Sequence, residues 1–198
     1  MKFLESDETL YTYSLMFLYI SGTSNLFILQ FLQAPYGKHL SPSWGPTVSP
    51  TLAWVLMESP TIFLPLLLLL FPLARHRSSP RSLSLLSLFL LHYLHRTFIY
   101  PFYLPRRAPT SKATQFPISI ALMAFSFNVL NAYVQSRSIF HYIDYDAEGG
   151  VGFWVRFFAG LGVFLWGMSV NVRSDLVLVR LRGRGRGIGC LLGGGLRG

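Results

Sequence analysis

An all-α, polytopic transmembrane helical bundle of about five spans follows from three features of this 198-residue sequence. Hydrophobic residues make up 52% of the chain and charged residues only 13%, about half the ~25% that a soluble domain carries. The charges sit in short clusters between apolar runs of roughly 20 residues, the length that crosses a bilayer core. Basic residues outnumber acidic ones 17 to 8, and they flank the apolar runs as in a membrane protein instead of marking a nucleic-acid surface. A disordered chain, a disulfide-framed domain and an ordinary soluble enzyme are excluded together. Cys190 is the single cysteine, so neither an internal disulfide nor a cysteine-only metal site is available.

The spans follow in order. The opening MKFLESDETL is polar and acidic and does not read as a cleavable signal peptide. The first span is expected from Tyr11 to Gln33, with Ser21, Gly22, Thr23, Ser24 and Asn25 at its centre. The second runs from Leu52 to Leu73, the third from Leu83 to Leu104, the fourth from Phe116 to Val134 and the fifth from Phe153 to Val172. Their apolar residues cover the whole circumference and not a stripe, which separates them from the surface helices of a soluble core. Between them, Ala34 to Pro50 is a turn-rich loop holding Pro35, Gly37, Gly45 and Pro46. The linkers from Ala74 to Ser82 and from Pro105 to Gln115 are basic, and Ser136 to Gly150 carries Asp144, Asp146 and Glu148. The larger share of Lys and Arg falls on the C-terminal side of this arrangement, which places the C-terminus in the cytosol, although the basic linker Arg75 to Arg81 pulls the other way.

Polar groups kept inside apolar spans cost about 2.5–3.5 kcal/mol each and usually line a cavity or pathway. Glu58, in Trp54-Val55-Leu56-Met57-Glu58-Ser59-Pro60, is the only acidic residue in any of the five spans. It reads either as a span-end carboxylate wetted by headgroup water or as a buried carboxyl able to hold a proton and donate it. The third span places His92, Tyr93, His95, Arg96 and Tyr100 within three turns, with His92, His95 and Arg96 on one face at i, i+3 and i+4. Two histidines at that spacing permit zinc, but no third ligand is evident and no metal is expected. Interfacial anchoring is the plain alternative; a polar, catalytic-type pocket is the preferred reading. Asn128, Asn131, Tyr133 and Gln135 in the fourth span read equally as links between helices. Beyond the fifth span, Asn171, Arg173, Asp175, Arg180 and Arg182 suit a phosphate-bearing ligand, because arginine forks match phosphate oxygens.

Six segments then resemble the steroid 5α-reductase family, most closely its plant members in brassinosteroid synthesis. They are LQAPYGKH (32–39), WGPTVSP (44–50), AWVLMESPT (53–61), LHYLHRTFIYP (91–101), FNVLNAYVQSR (127–137) and NVRSD (171–175), in family order and spacing. The resemblance implies a seven-span enzyme of the endoplasmic reticulum membrane, a 3-oxo-5α-steroid 4-dehydrogenase that reduces the Δ4 double bond of 3-oxo-steroids with NADPH. It implies that Glu58 and Tyr93 hydrogen-bond the steroid 3-keto oxygen. Trp54, Met57 and Phe127 match positions lining the steroid channel, and Arg107, Asn171, Asp175 and Arg182 match positions near NADPH. Met57 stands where animal members carry glutamine, which points to plant-type substrates.

The resemblance covers residues 32–182. After Leu181 the sequence becomes GRGRGIGCLLGGGLRG, where the family continues into further cofactor-binding segments and two more spans. A C-terminally truncated or frame-shifted member is the expectation: an incomplete reductase domain over residues 1–182 and a disordered Gly/Arg-rich tail over 183–198, with impaired cofactor binding. A non-catalytic membrane pseudoenzyme is the alternative from another class. A small transporter rests only on Glu58, His92, His95 and Arg96, and the inverted repeats that would support it are not seen. The expected partners are a steroid and the lipid bilayer, with no nucleic acid; the oligomeric state is not legible.

Overall fold

The computed structural model describes residues 2–28, 30–31, 44–70, 74–103, 115–147 and 150–193; the side chains of 2–5, 103 and 178–193 lie outside that description. The described residues form α1 (Lys2–Ile28), β1 (Thr47–Val48), α2 (Pro50–Glu58), α3 (Pro60–Leu70), α4 (Pro80–Leu94), α5 (Tyr100–Tyr103), β2 (Phe116–Pro117), α6 (Ile118–Arg137) and α7 (Val151–Gly193). A π-helical turn, His95–Ile99, joins α4 to α5, and another, Ser138–Tyr142, extends α6. The chain is thus a helical bundle carrying one minimal β-ladder.

Three helical stretches among the described residues are long and apolar enough to cross a membrane: Pro50–Leu70, Ile118–Tyr142 and Val151–Val177. They coincide with the expected second, fourth and fifth spans. The expected first and third spans are helical as well, as α1 and as the continuous run from Pro80 to Tyr103, but they fall short of that apolarity. Polar residues from Ser21 to Asn25 interrupt α1, and Arg81, His92, His95 and Arg96 sit in the third. α1 also starts well before Tyr11, at Lys2.

Local chemistry sets the helix starts. α2 and α4 each begin at a Ser-Pro pair: Ser49 accepts from the Leu52 N–H at 3.3 Å, and Ser79 from the Ser82 N–H at 3.2 Å. Serine at the cap satisfies a free amide, and proline at the first helical position needs no hydrogen-bond partner. The second span is broken at Ser59, because Pro60 has no N–H to return to Leu56. The Ser59 hydroxyl donates to the Leu56 carbonyl instead, at 2.9 Å. Two neighbouring carbonyls also find side-chain donors. Asn128 Nδ2 reaches Met57 O at 2.6 Å and Thr61 Oγ1 reaches Glu58 O at 2.5 Å. The break thereby sits beside Glu58.

α6 is the central element and packs against α1, α2 and α3. One buried cluster joins Ala53 and Met57 of α2 to Phe116 and Ala121; a second joins Ala74 and Leu86 to Ile139 and Phe140. At one end, β1 pairs antiparallel with β2, Thr47 opposite Pro117 and Val48 opposite Phe116. The Ile118 N–H to Pro46 O bond (2.9 Å) and the Ser119 hydroxyl to Trp44 O bond (2.7 Å) extend this tie. The starts of α2 and α6 are therefore held together.

Charge organises the opposite end. Arg81 donates to the Tyr145 carbonyl at 2.5 Å, stands 3.7 Å from Asp146 and lies over the Phe153 ring at 4.5 Å, while His76 approaches Asp144 to 3.8 Å. The basic and acidic linkers thus clasp each other. Asp7 of α1 accepts from Tyr133 (2.9 Å), from Tyr142 (2.6 Å) and from Arg137. Burial alone raises the Asp7 carboxyl, but the bonds from Tyr142, Arg137 and Tyr133 outweigh it and hold the group below its ordinary 3.8.

A lowered carboxyl stabilises the fold fully above its unfolded value and loses that contribution as pH falls through the folded one. Docking of α1 is therefore expected to be constant near neutrality and to weaken only below about pH 4. Asp7→Ala is expected to cost about 1.5–3 kcal/mol, the range for hydrogen bonds to a charged group, read as a lower melting temperature in detergent. An unchanged melting temperature would show that the cluster does not anchor α1.

Candidate active site

The break between α2 and α3 places Glu58 in the bundle interior at 5% exposure. Facing it from the π-helical turn is Arg96, which donates to Glu58 Oε1 from Nη2 at 2.7 Å and from Nε at 3.1 Å. Pro101 follows this turn; it lacks an N–H and its ring crowds the carbonyl four residues earlier. The Tyr100 N–H reaches back to His95 O, closing the wider turn. Thr51 on α2 donates to the Pro101 carbonyl at 3.2 Å. Widened turns of this kind frequently occur at functional sites.

Aromatic rings enclose the ion pair. The Arg96 guanidinium lies 5.2 Å from the Trp54 ring centre, and Trp54 meets Tyr100 edge-on at 5.0 Å. One turn before Arg96, Tyr93 packs against Phe89 at 4.7 Å and against His92 at 5.1 Å. His92 also meets Phe164 of α7 at 6.1 Å. The charge of Glu58 acts on Tyr93, and that of Asp175 acts on Arg96.

α6 supplies two amides to this cluster. Asn128 Nδ2 stands 3.5 Å from Glu58 Oε2, besides its bond to Met57 O, and Asn131 Nδ2 donates to the Tyr93 phenol oxygen at 3.1 Å. On its other flank, Asn128 lines a cavity of about 820 Å³ between α1 and α6, together with Phe17, Ser21, Met123 and Phe127. That volume lies within the roughly 300–1,000 Å³ of small-molecule sites. It is walled mainly by apolar side chains and ends in amide and carboxylate chemistry.

The residues singled out in the sequence fall into three groups. Glu58, Tyr93 and Trp54 converge on one cluster. Met57 is 5% exposed and packs into the core with Ala53, Phe116 and Ala121, and Phe127 is 44% exposed on the cavity. On α7, Asn171 is exposed and Asp175 half-buried. Arg107 lies outside the described residues, and the side chain of Arg182 lies outside them too. Among the described residues no group of three or more His, Cys, Asp or Glu stands together as a metal site. The sequence reading did not foresee Arg96 as the counter-ion of Glu58 or Asn131 as the partner of Tyr93. The signal available was arithmetic: one carboxylate and one arginine inside the apolar spans preceding α7 invite pairing.

Comparison with known proteins agrees with this picture. A family model described as 3-oxo-5-alpha-steroid 4-dehydrogenase matches residues 114–194. The steroid 5-alpha-reductase DET2 of Arabidopsis thaliana is 50% identical over 182 residues, covering 92% of this chain and 68% of the relative. DET2 of Gossypium hirsutum is 52% identical over 184 residues, covering 93% and 69%. The human 3-oxo-5-alpha-steroid 4-dehydrogenase 1 is 38% identical over 151 residues, covering 74% and 54%. With half its residues shared across more than two thirds of the plant enzymes, this multi-pass membrane chain belongs to the steroid 5-alpha-reductase family of oxidoreductases.

Proposed function

We propose that the chain binds a 3-oxo-Δ4-steroid with its 3-oxygen toward Glu58 and Tyr93, and reduces the Δ4 double bond using NADPH in the endoplasmic reticulum membrane. The observation that carries this reading is the junction of an apolar cavity with the Glu58 cluster through Asn128. A steroid is a rigid apolar body with a polar end, and such a junction matches both parts. The higher identity to the plant relatives than to the human one favours the plant-type steroids of brassinosteroid synthesis.

Reduction adds hydride at C5 and a proton at C4, and negative charge develops on the 3-oxygen on the way. Donors already aimed at that oxygen are worth about 10²–10³ in rate each. Tyr93 offers its phenolic O–H. Glu58 can donate only when it carries a proton, and both Arg96 bonds fall on Oε1, so the proton is placed on Oε2. Apolar walls keep water away and strengthen these bonds. NADPH, when bound, supplies the hydride. Among the described side chains, Asn171 and Asp175 lie one turn apart on α7, an amide and a carboxylate that suit ribose hydroxyls. Arg107 and Arg182 are the proposed phosphate contacts.

The test is conversion of a 3-oxo-Δ4-steroid by membranes expressing the 198-residue chain, with NADPH supplied and product identified by mass. NADPH-dependent product is expected, reduced about 10²–10³-fold by Tyr93→Phe or Glu58→Gln. Absence of both product and steroid binding, with the protein present in the membrane, would overturn the proposal.

The ion pair gives a second expectation. Arg96→Met leaves Glu58 buried without its counter-ion, a loss of about 3 kcal/mol for a pair of which one member is partly exposed. The double variant Arg96→Met/Glu58→Gln is expected to recover part of the lost melting temperature in detergent. Equal melting of the single and double variants would show that the pair is not coupled.

A further inference from the structure

The deepest-set hydrogen bond of the cluster that the sequence did not announce joins α6 to the third span. Asn131 Nδ2 donates to Tyr93 Oη at 3.1 Å. A phenol oxygen accepts on its lone pairs and donates through one hydrogen, which lies in the ring plane on either side. An N–H occupying one side leaves the hydrogen to the other. The ring itself is held by Phe89 and His92, so the oxygen has a fixed position and the hydrogen a fixed direction. One turn earlier on the same face of α6, Asn128 addresses Met57 O and Glu58 Oε2. The i, i+3 spacing puts both amides on one face, and each meets one member of the Glu58–Tyr93 pair.

We propose that Asn131 is a positioning residue: by donating to Tyr93 it obliges the tyrosine to act as a donor toward the steroid oxygen. This rests on the steroid reading above. The amide also competes with an alternative. Glu58 lies close enough to act electrostatically on Tyr93, and a phenol left without Asn131 can turn its hydrogen toward that carboxylate. Asn131 thus fixes which group receives the tyrosine proton.

The discriminating variant is Asn131→Asp, nearly isosteric, which keeps an acceptor and removes the donor. If Asn131 mattered only for packing or for helix association, Asp would be the mild change and Leu the harsh one. Under the proposal the order reverses, because an aspartate accepts the phenolic hydrogen and withdraws it from the substrate. The measurement is the infrared stretching frequency of an isotope-labelled 3-carbonyl in a 3-oxo-Δ4-steroid bound to the detergent-solubilised full chain. It reads hydrogen bonds to the carbonyl in whatever complex forms and needs no turnover.

The wild-type chain is expected to lower the frequency relative to the same steroid in detergent, and Tyr93→Phe to return part of that shift. Asn131→Asp is expected to return at least as much as Tyr93→Phe, and the double variant Asn131→Asp/Tyr93→Phe no more than Tyr93→Phe alone. Asn131→Leu is expected to return an intermediate share and stands in if the aspartate variant does not accumulate. A folded, steroid-bound Asn131 variant with the full wild-type shift would overturn the inference alone. A wild-type chain that binds no steroid, or an unchanged shift in Tyr93→Phe, would overturn the steroid reading and the inference with it.

Discussion

A carboxylate enclosed by apolar helices must find a counter-charge, and in this chain Glu58 finds Arg96. The requirement shapes everything nearby. It draws the π-helical turn of the third span against the end of α2, and it places Trp54 over the guanidinium. It also explains why a helix would be broken at that depth. Pro60 removes a backbone donor, and the carbonyls left behind are met by Ser59, Thr61 and Asn128. Polar side chains that look dispersed along the sequence are thus parts of one account, in which each buried donor or acceptor answers another.

Helices and their order were legible because membrane insertion writes them locally: about 20 apolar residues suffice, whatever the rest of the chain does. Glu58 and Tyr93 were legible for the same reason, as polar exceptions inside apolar runs. The pairings were not. Arg96 stands 38 residues from Glu58, and Asn131 38 residues from Tyr93, and nothing in the local pattern of either segment names its counterpart. Asp7 is the sharper case. It looked like part of a polar leader before the first span, yet it receives Tyr133, Arg137 and Tyr142 from more than a hundred residues away. The two linkers read as basic and acidic are another: His76 and Arg81 face Asp144 and Asp146, so a count of positive charges alone weighed a linker whose charge is largely answered.

The two ends of the bundle are secured by different physics. The β1–β2 end uses backbone hydrogen bonds and is indifferent to charge; the opposite end relies on carboxylates with arginine, histidine and tyrosine. α6 runs between them and touches both, and its middle carries the two asparagines that face the Glu58–Tyr93 pair. α7 contributes differently. Only 6% of its most apolar stretch is buried in the bundle, with Phe153 and Phe164 as its points of attachment.

The wide turn at His95–Ile99 has a consequence for how such a sequence can change. A π turn holds one residue more than the α-helical path through the same space, so it behaves as an insertion already absorbed. Losing any one residue there would restore regular winding and rotate all that follows by about 100°, carrying Tyr100 off Trp54 and Pro101 off Thr51. Substitution within the turn is a matter of side-chain chemistry; a change of length is a change of phase. Drift in residue identity is therefore cheap at the lipid-facing positions Phe98 and Ile99, whereas the spacing between Tyr93 and Pro101 is fixed by geometry.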